Sequence, residues 1–147
     1  MKNPSLRILL FILAVTAIPA HAVNRVVTIT APAEAVAGAT VAVTVQASTD
    51  ATDGEQIGFL HAEYSTDDGK TWTQFCYAEK SGAELIRPVS FPAGAKGVKS
   101  VVRARVAFRG GKAGDVDFKG TAIQWGESWE KWRTPPARFA IIYVTNR

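Results

Sequence analysis

The sequence predicts an all-β fold, an antiparallel β-sandwich of about seven strands. Short segments alternate between apolar and polar residues, as in strands that bury only one face. Gly, Pro, Asp and Ser separate these segments, and such residues are typical of turns. No stretch has sustained helical periodicity until close to the C-terminus. Strands at close spacing with turns between them favour a sandwich over a barrel.

Residues 1–22 form a predicted signal peptide. Lys2 and Arg7 flank an apolar run at 8–18, and Ala20 and Ala22 are the small residues that a signal peptidase recognises. The run is too short for a membrane-spanning helix, which needs about 20 apolar residues. No cysteine near the cleavage point could carry a lipid. We therefore expect residues 23–147 to be secreted or periplasmic after cleavage, without a membrane anchor.

The composition of residues 23–147 predicts one domain with a hydrophobic core and excludes several kinds of site. The formal net charge of the whole chain is +4, and Lys2 and Arg7 of the predicted signal peptide contribute to it. The charge that remains on residues 23–147 is too small to indicate nucleic acid as a partner. His61 and Cys76 are the only histidine and cysteine after residue 22, too few for a structural zinc or blue-copper site within one chain. We expect no metal, no cofactor, and a cysteine that is either buried or paired with another molecule.

The alternation assigns the strands in order. They are predicted at residues 27–30, 41–45, 60–65, 72–77, 85–91, 101–109 and 139–144. Pro88 suits an edge strand, because proline cannot donate to a ladder. The side chains expected to face the core are Val41, Val43, Val45, Leu60, Ala62, Tyr64, Val102, Ala104, Val106 and Phe108. The last strand is apolar at nearly every position, which predicts that both of its faces are covered.

The layout of these strands resembles that of immunoglobulin-like or fibronectin type III-like domains of secreted bacterial proteins. The resemblance covers residues 23–147 and implies a β-sandwich, but it implies no particular activity, because such folds carry many functions. The interval 110–136 is longer than a minimal sandwich requires. We expect it to hold an extra hairpin or a short helical turn.

The chain between the third and fourth predicted strands matches an Asp-box pattern, Ser/Thr-x-Asp-x-Gly-x-Thr-Trp. The five specified positions are occupied by Ser65, Asp67, Gly69, Thr71 and Trp72. The resemblance implies that the Asp accepts turn N–H groups, that the Gly adopts a positive φ and that the aromatic ring covers the hairpin. Repeated copies resemble sialidase-type propellers, but one copy in a chain of this size cannot build several blades. We therefore expect a structural hairpin.

The hairpin also predicts a register for its two strands. If Ala62 faces Phe75 on the apolar side, His61 pairs with Cys76 on the other side. A neighbouring imidazole can lower the pKa of a thiol and act as its base, which would create a nucleophile. No oxyanion hole or orienting carboxylate is identifiable, although Glu63 is near in sequence. We therefore expect a structural thiol and no catalytic residue.

The segment before the last strand is rich in tryptophan. Trp125, Trp129 and Trp132 are followed by Arg133, and on a helix their spacing would place the indoles on one side. The indoles could seal the open end of the sandwich, or form an exposed stacking surface with Arg133 for a glycan or a partner protein. A third interpretation is a Trp/Arg ladder similar to that of cytokine-receptor fibronectin domains. That ladder would use the outward-facing arginines Arg103, Arg105 and Arg109.

The combined observations predict a non-catalytic exported binding or protein-interaction module. Its partner would be another protein or a glycan, and the candidate binding residues are Trp125, Trp129, Trp132 and Arg133. One alternative is a carbohydrate-binding module that uses this Trp-rich segment. The other is a small extracytoplasmic hydrolase, in which His61 would be the first residue to examine.

Export can be tested by mass spectrometry of the protein recovered from outside the cytoplasm. We expect the mass of residues 23–147 with an unmodified N-terminus, because the charged, apolar and small-residue regions of a signal peptide occur in order. A recovered protein that retains Met1 or carries an acyl chain would contradict this prediction.

Overall fold

The computed structural model describes residues 22–79, 82–123 and 136–146. Within these ranges the chain forms β-strands and no helix. The strands are β1 (Arg25–Thr30), β2 (Glu34–Val36), β3 (Thr40–Thr49), β4 (Gln56–Ser65), β5 (Thr73–Glu79), β6 (Glu84–Pro92), β7 (Lys99–Arg109), β8 (Val116–Asp117) and β9 (Arg138–Thr145). A search of the described residues accordingly finds no helix that could span a membrane.

The strands form two packed sheets, which confirms the predicted all-β fold class. One sheet has the order β1-β3-β6, and the other has the order β2-β9-β7-β4-β5, with β8 paired to β7. The expectation of purely antiparallel pairing is wrong, because β2 runs parallel to β9. After β1 the chain passes Pro32, which has no N–H to donate, and leaves β3 for the other sheet. There Ala33 accepts a hydrogen bond from the N–H of Tyr143.

The core lies between the two sheets and contains the residues predicted for it. Val41, Val43 and Val45 of β3 face the second sheet and are buried. Nine of the ten predicted core residues are buried in one cluster, and Tyr64 packs against that cluster half-buried. The Tyr64 ring stacks on Phe91 of β6 with ring centroids 4.5 Å apart. The period of two in β3, β4 and β7 therefore sets the inner faces of both sheets.

The prediction that both faces of the last strand are covered is wrong. In β9, Ile142 and Val144 are buried, whereas Phe139, Ile141 and Tyr143 are 61%, 48% and 53% exposed. Alternate side chains of a strand point to opposite faces of the sheet, and only one face of β9 meets the core. The other face carries large apolar side chains without being buried.

The predicted register of the β4–β5 hairpin is right near the turn and wrong beyond it. Glu63 pairs with Gln74, as the predicted register requires, but a bulge then shifts the register, so that Ala62 pairs with Cys76 instead of Phe75. A bulge sets two residues of one strand against one of its partner. Beyond the bulge, His61 pairs with Tyr77 and not with Cys76.

The bulge therefore turns Cys76 towards the core. The thiol is 7% exposed and belongs to the apolar cluster. Burial raises the pKa of Cys76, because the thiolate is poorly solvated there. Of the two states expected for this cysteine, the structure shows the buried one.

Removal of a buried side chain should destabilise the fold far more than removal of an exposed one. Ile57 of β4 is 0% exposed and Ile86 of β6 is 49% exposed. We expect Ile57→Ala to lower the free energy of unfolding by about 2–5 kcal/mol, because it leaves a cavity. The matched control Ile86→Ala should cost less than about 1 kcal/mol. Equilibrium denaturation measures both, and equal losses would contradict the packing described above.

Candidate functional site

The outer face of the six-stranded sheet carries a cluster of charged and aromatic side chains. We use "outer face" for the side that points away from the three-stranded sheet. Its residues are Phe59, His61 and Glu63 of β4, Tyr77 of β5, Lys99, Val101, Arg103, Arg105 and Ala107 of β7, and Phe139, Ile141 and Tyr143 of β9. One end of this face is covered, since Phe59 and Ala107 are buried in a cluster with Ile123.

Arg103 contacts both Glu63 of β4 and Trp72 of the hairpin on the outer face. Its Nε donates a 2.8 Å hydrogen bond to Oε2 of Glu63, to which its Nη2 also donates. The guanidinium carbon lies 3.8 Å from the ring centroid of Trp72, a distance at which a cation interacts with the face of an indole. Arg103 therefore stacks on the tryptophan of the hairpin.

Sequence reasoning missed this contact although a signal was present. The motif placed Trp72 in the hairpin, and the alternation placed Arg103 on the outward face of its strand. Only the pairing of Glu63 with Arg103 in adjacent strands brings the two together. That pairing is a long-range register, which neither local pattern contains.

His61 and Arg105 form a buried pair beside Arg103. They are 6% and 0% exposed, and Nη2 of Arg105 lies 3.2 Å from Nδ1 of His61. The ring of Tyr77 meets the imidazole edge-on at 5.8 Å between centroids. Oε1 of Glu63 is 3.6 Å from Nε2 of His61. The group is a charged and aromatic cluster, packed across three adjacent strands.

Burial governs the ionisation of this cluster. Desolvation, followed by the charge of Arg105, lowers the pKa of His61 to about 4, so that the ring is neutral at neutral pH and its Nδ1 can accept from Arg105. Desolvation lowers the pKa of Arg105 to about 10, which leaves it charged. Burial and the hydrogen bond from its hydroxyl to Glu79 raise the pKa of Tyr77 to about 12.

The predicted contact between His61 and Cys76 is wrong, because the two side chains lie on opposite faces of the sheet. The observed neighbours of His61 include the side chains of Arg105, Tyr77, Glu63 and Gln74. A search of the described residues finds no group of three His, Cys, Asp or Glu side chains that could hold a metal. It also finds no pocket.

The hairpin residues form one hydrogen-bonded turn between β4 and β5. Oδ1 of Asp67 accepts from the backbone N–H groups of Lys70 and Thr71 at 3.1 and 2.9 Å, and Oδ2 accepts from the Thr71 hydroxyl at 2.6 Å. Ser65 donates to Asp67 and accepts from the N–H of Gly69, whose φ is +81°. The hydrogen bonds from Thr71 hold the pKa of Asp67 well below its usual range.

The open end of the outer face is an apolar stripe along β9, which we name the β9 stripe. It consists of Phe139, Ile141 and Tyr143. Across the sheet, Ile141 pairs with the half-buried Val101. Nζ of Lys99 lies 5.8 Å from the ring centroid of Tyr143. Here the outer face presents flat apolar surface with charges at its margin.

Trp125, Trp129, Trp132 and Arg133 lie outside the described residues, as does the part 124–135 of the interval for which a helical turn was considered. Their role as binding residues therefore stays a prediction.

Comparison of the sequence with models of known protein families found no family that matches, and a search of curated proteins found no match either.

The low pKa of His61 can be measured directly. His61 is the only histidine after residue 22, so that one imidazole should titrate in an NMR experiment on the processed protein. We expect a midpoint near 4 in place of the ordinary 6.5, because burial disfavours the imidazolium. A midpoint at the ordinary value would show that the ring is solvated.

The same shift predicts a loss of stability in acid. The folded pKa lies below the unfolded one, so the unfolded state binds the proton first as the pH falls from about 6.5 towards 4. The His61→Gln variant should lack this part of the loss, as measured by denaturation across that range.

Proposed function

We propose that this protein is an exported, non-catalytic interaction module and that it binds another protein through the β9 stripe. The observation that carries the proposal is the exposure of Phe139, Ile141 and Tyr143 at alternate positions of one strand. Domains rarely leave large apolar side chains contiguous and exposed, and those that do commonly use them for binding.

The surroundings of the stripe resemble a protein-binding surface. Interfaces combine an apolar and aromatic centre with a polar rim. Here the centre contains two aromatic rings, and Lys99 and Glu34 lie on either side of Tyr143 in the neighbouring strands. Because β7 pairs with β9 over residues 138–143 and β2 pairs with it over residues 143–145, Tyr143 has a strand partner on both sides, and this part of the stripe is held rigidly. A rigid surface loses little conformational entropy on binding.

The fold supports the assignment to an interaction module. The order β9-β7-β4-β5 packed against β1-β3-β6 is similar to that of fibronectin type III-like and immunoglobulin-like sandwiches. We propose that the chain belongs to this class of exported sandwich and that its β4–β5 turn is a structural Asp-box. The bonds that Asp67 accepts within the turn support a structural role for the motif. Because such folds carry many functions, the proposed activity rests on the stripe.

The arrangement of His61 favours binding over hydrolysis. Its Nδ1 faces Arg105, its ring edge packs near Tyr77, and the ring is 6% exposed. The thiol that the sequence suggested as its partner lies on the other side of the sheet. A general base needs access to the proton that it removes. We therefore assign His61 and Arg105 to the scaffold of the outer face.

Site-specific photo-crosslinking tests this proposal. A photoreactive phenylalanine analogue replaces Ile141 in the β9 stripe, or Ile86 on the opposite sheet as the matched control, because the two residues are 48% and 49% exposed. We expect a discrete protein adduct from position 141 only. A Phe139→Ser substitution in the same chain should reduce its yield, because it removes neighbouring apolar contact.

Equal adducts from positions 141 and 86, or none from position 141, would overturn the proposal. The glycan alternative is tested in parallel with a glycan array, on which the wild type is compared with a Trp129→Ala/Trp132→Ala variant. Binding that this double variant loses, and that a Phe139→Ser variant keeps, would favour the Trp-rich segment as the binding surface.

A further inference from the structure

We propose that the protein bound by the β9 stripe is a second copy of this chain, packed face to face about a twofold axis that runs along β9. The inference rests on the proposed function, since it uses the same surface. It adds the identity of the partner and the geometry of the contact. Two observations carry it, namely the charge pattern across the stripe and the apolar row along it.

The charge pattern lies in one cross-strand row. Tyr143 of β9 pairs with Lys99 of β7 on one side and with Glu34 of β2 on the other. Paired residues in adjacent strands project to the same face of a sheet, and both charged residues are exposed. Neither of them forms an ion pair with another described residue. The row therefore consists of a cation in β7, an aromatic ring in β9 and an anion in β2.

A twofold axis along β9 makes this row complementary to itself. The rotation exchanges the two sides of β9, so that β7 of one copy faces β2 of the other. Lys99 then lies opposite Glu34 of the second copy, and Glu34 lies opposite the second copy's Lys99. These two pairs are equivalent under the twofold axis, so that one contact between opposite charges forms twice.

The same axis places the apolar row against itself. Tyr143, Ile141 and Phe139 follow one another along β9, and the rotation sets each near its counterpart in the second copy. Sheets that pack face to face bury such side chains in a layer about 10 Å thick. Arg103 lies beside Phe139 and is already bonded to Glu63, so that it needs no partner in the second copy. The contact covers the apolar surface that the single chain leaves exposed.

Charge reversal tests the geometry in the processed protein, residues 23–147. Sedimentation equilibrium should show a dimer for the wild type. Lys99→Glu and Glu34→Lys, each alone, should weaken association about tenfold or more, because each sets like charges opposite each other. The control Lys112→Glu changes an exposed lysine in the β7–β8 connection by the same charge and should have no such effect.

Restoration is the decisive outcome. The double variant Lys99→Glu/Glu34→Lys should recover most of the wild-type association, and so should a mixture of the two single variants, since opposite charges then face each other again. Recovery in the mixture also shows that both single variants are folded. A protein that stays monomeric, or a dimer that is indifferent to both reversals, would overturn the inference.

The two proposals fail separately. If crosslinking at position 141 captures a different protein while the pure chain stays monomeric, the stripe is a binding surface and the second copy is not its partner. If position 141 gives no adduct and the pure chain is monomeric, both proposals fail. An adduct with twice the mass of the chain supports both.

Discussion

The pairing of β4 with β7 is the constraint on which the outer face depends. It sets Glu63 opposite Arg103 and His61 opposite Arg105. Because side chains alternate between the two faces of a sheet, a slip of one residue would turn both arginines into the core. Burial of Val102 on the inner face and assembly of the charged cluster on the outer face are therefore two consequences of one register. Neither can change without the other.

Buried charge makes this register costly to lose. Arg105 is fully buried, and a buried guanidinium is tolerated only where neighbouring groups replace its hydration. Neutral His61 supplies an acceptor at 3.2 Å, so that Arg105 is not buried against a second positive charge on the imidazole. Glu63 is bonded to Arg103 and lies near the imidazole as well. The cluster thus favours the observed register of β4 and β7 over registers shifted by a residue, in addition to any net contribution to stability.

The local sequence pattern predicted a strand and its buried face wherever apolar residues occupy only every second position. In β3 and β7 the alternation was clear, and the predicted core faces are the observed ones. The pattern failed in β5, because the consecutive residues Phe75, Cys76 and Tyr77 are all apolar or aromatic. Both faces of the strand therefore look alike in sequence, and the pattern could not reveal the bulge. It failed in β9 for the same reason. The parallel pairing of β2 depends on a contact with the far end of the chain, of which a three-residue strand carries no local sign.

The apolar residues at the outward-facing positions of β9 also need a physical explanation. At the other end of the same face, the chain beyond β8 covers Phe59 with Ile123, so the fold can cover its own outer apolar residues. It leaves the β9 stripe open, while the change of sheet after Pro32 brings Glu34 beside Tyr143. If these residues had a role only within the single chain, polar side chains at the same outward positions would fit the strand equally well and would be better hydrated. The proposed contact with a second molecule accounts for both the apolar positions and the opposite charges that border them.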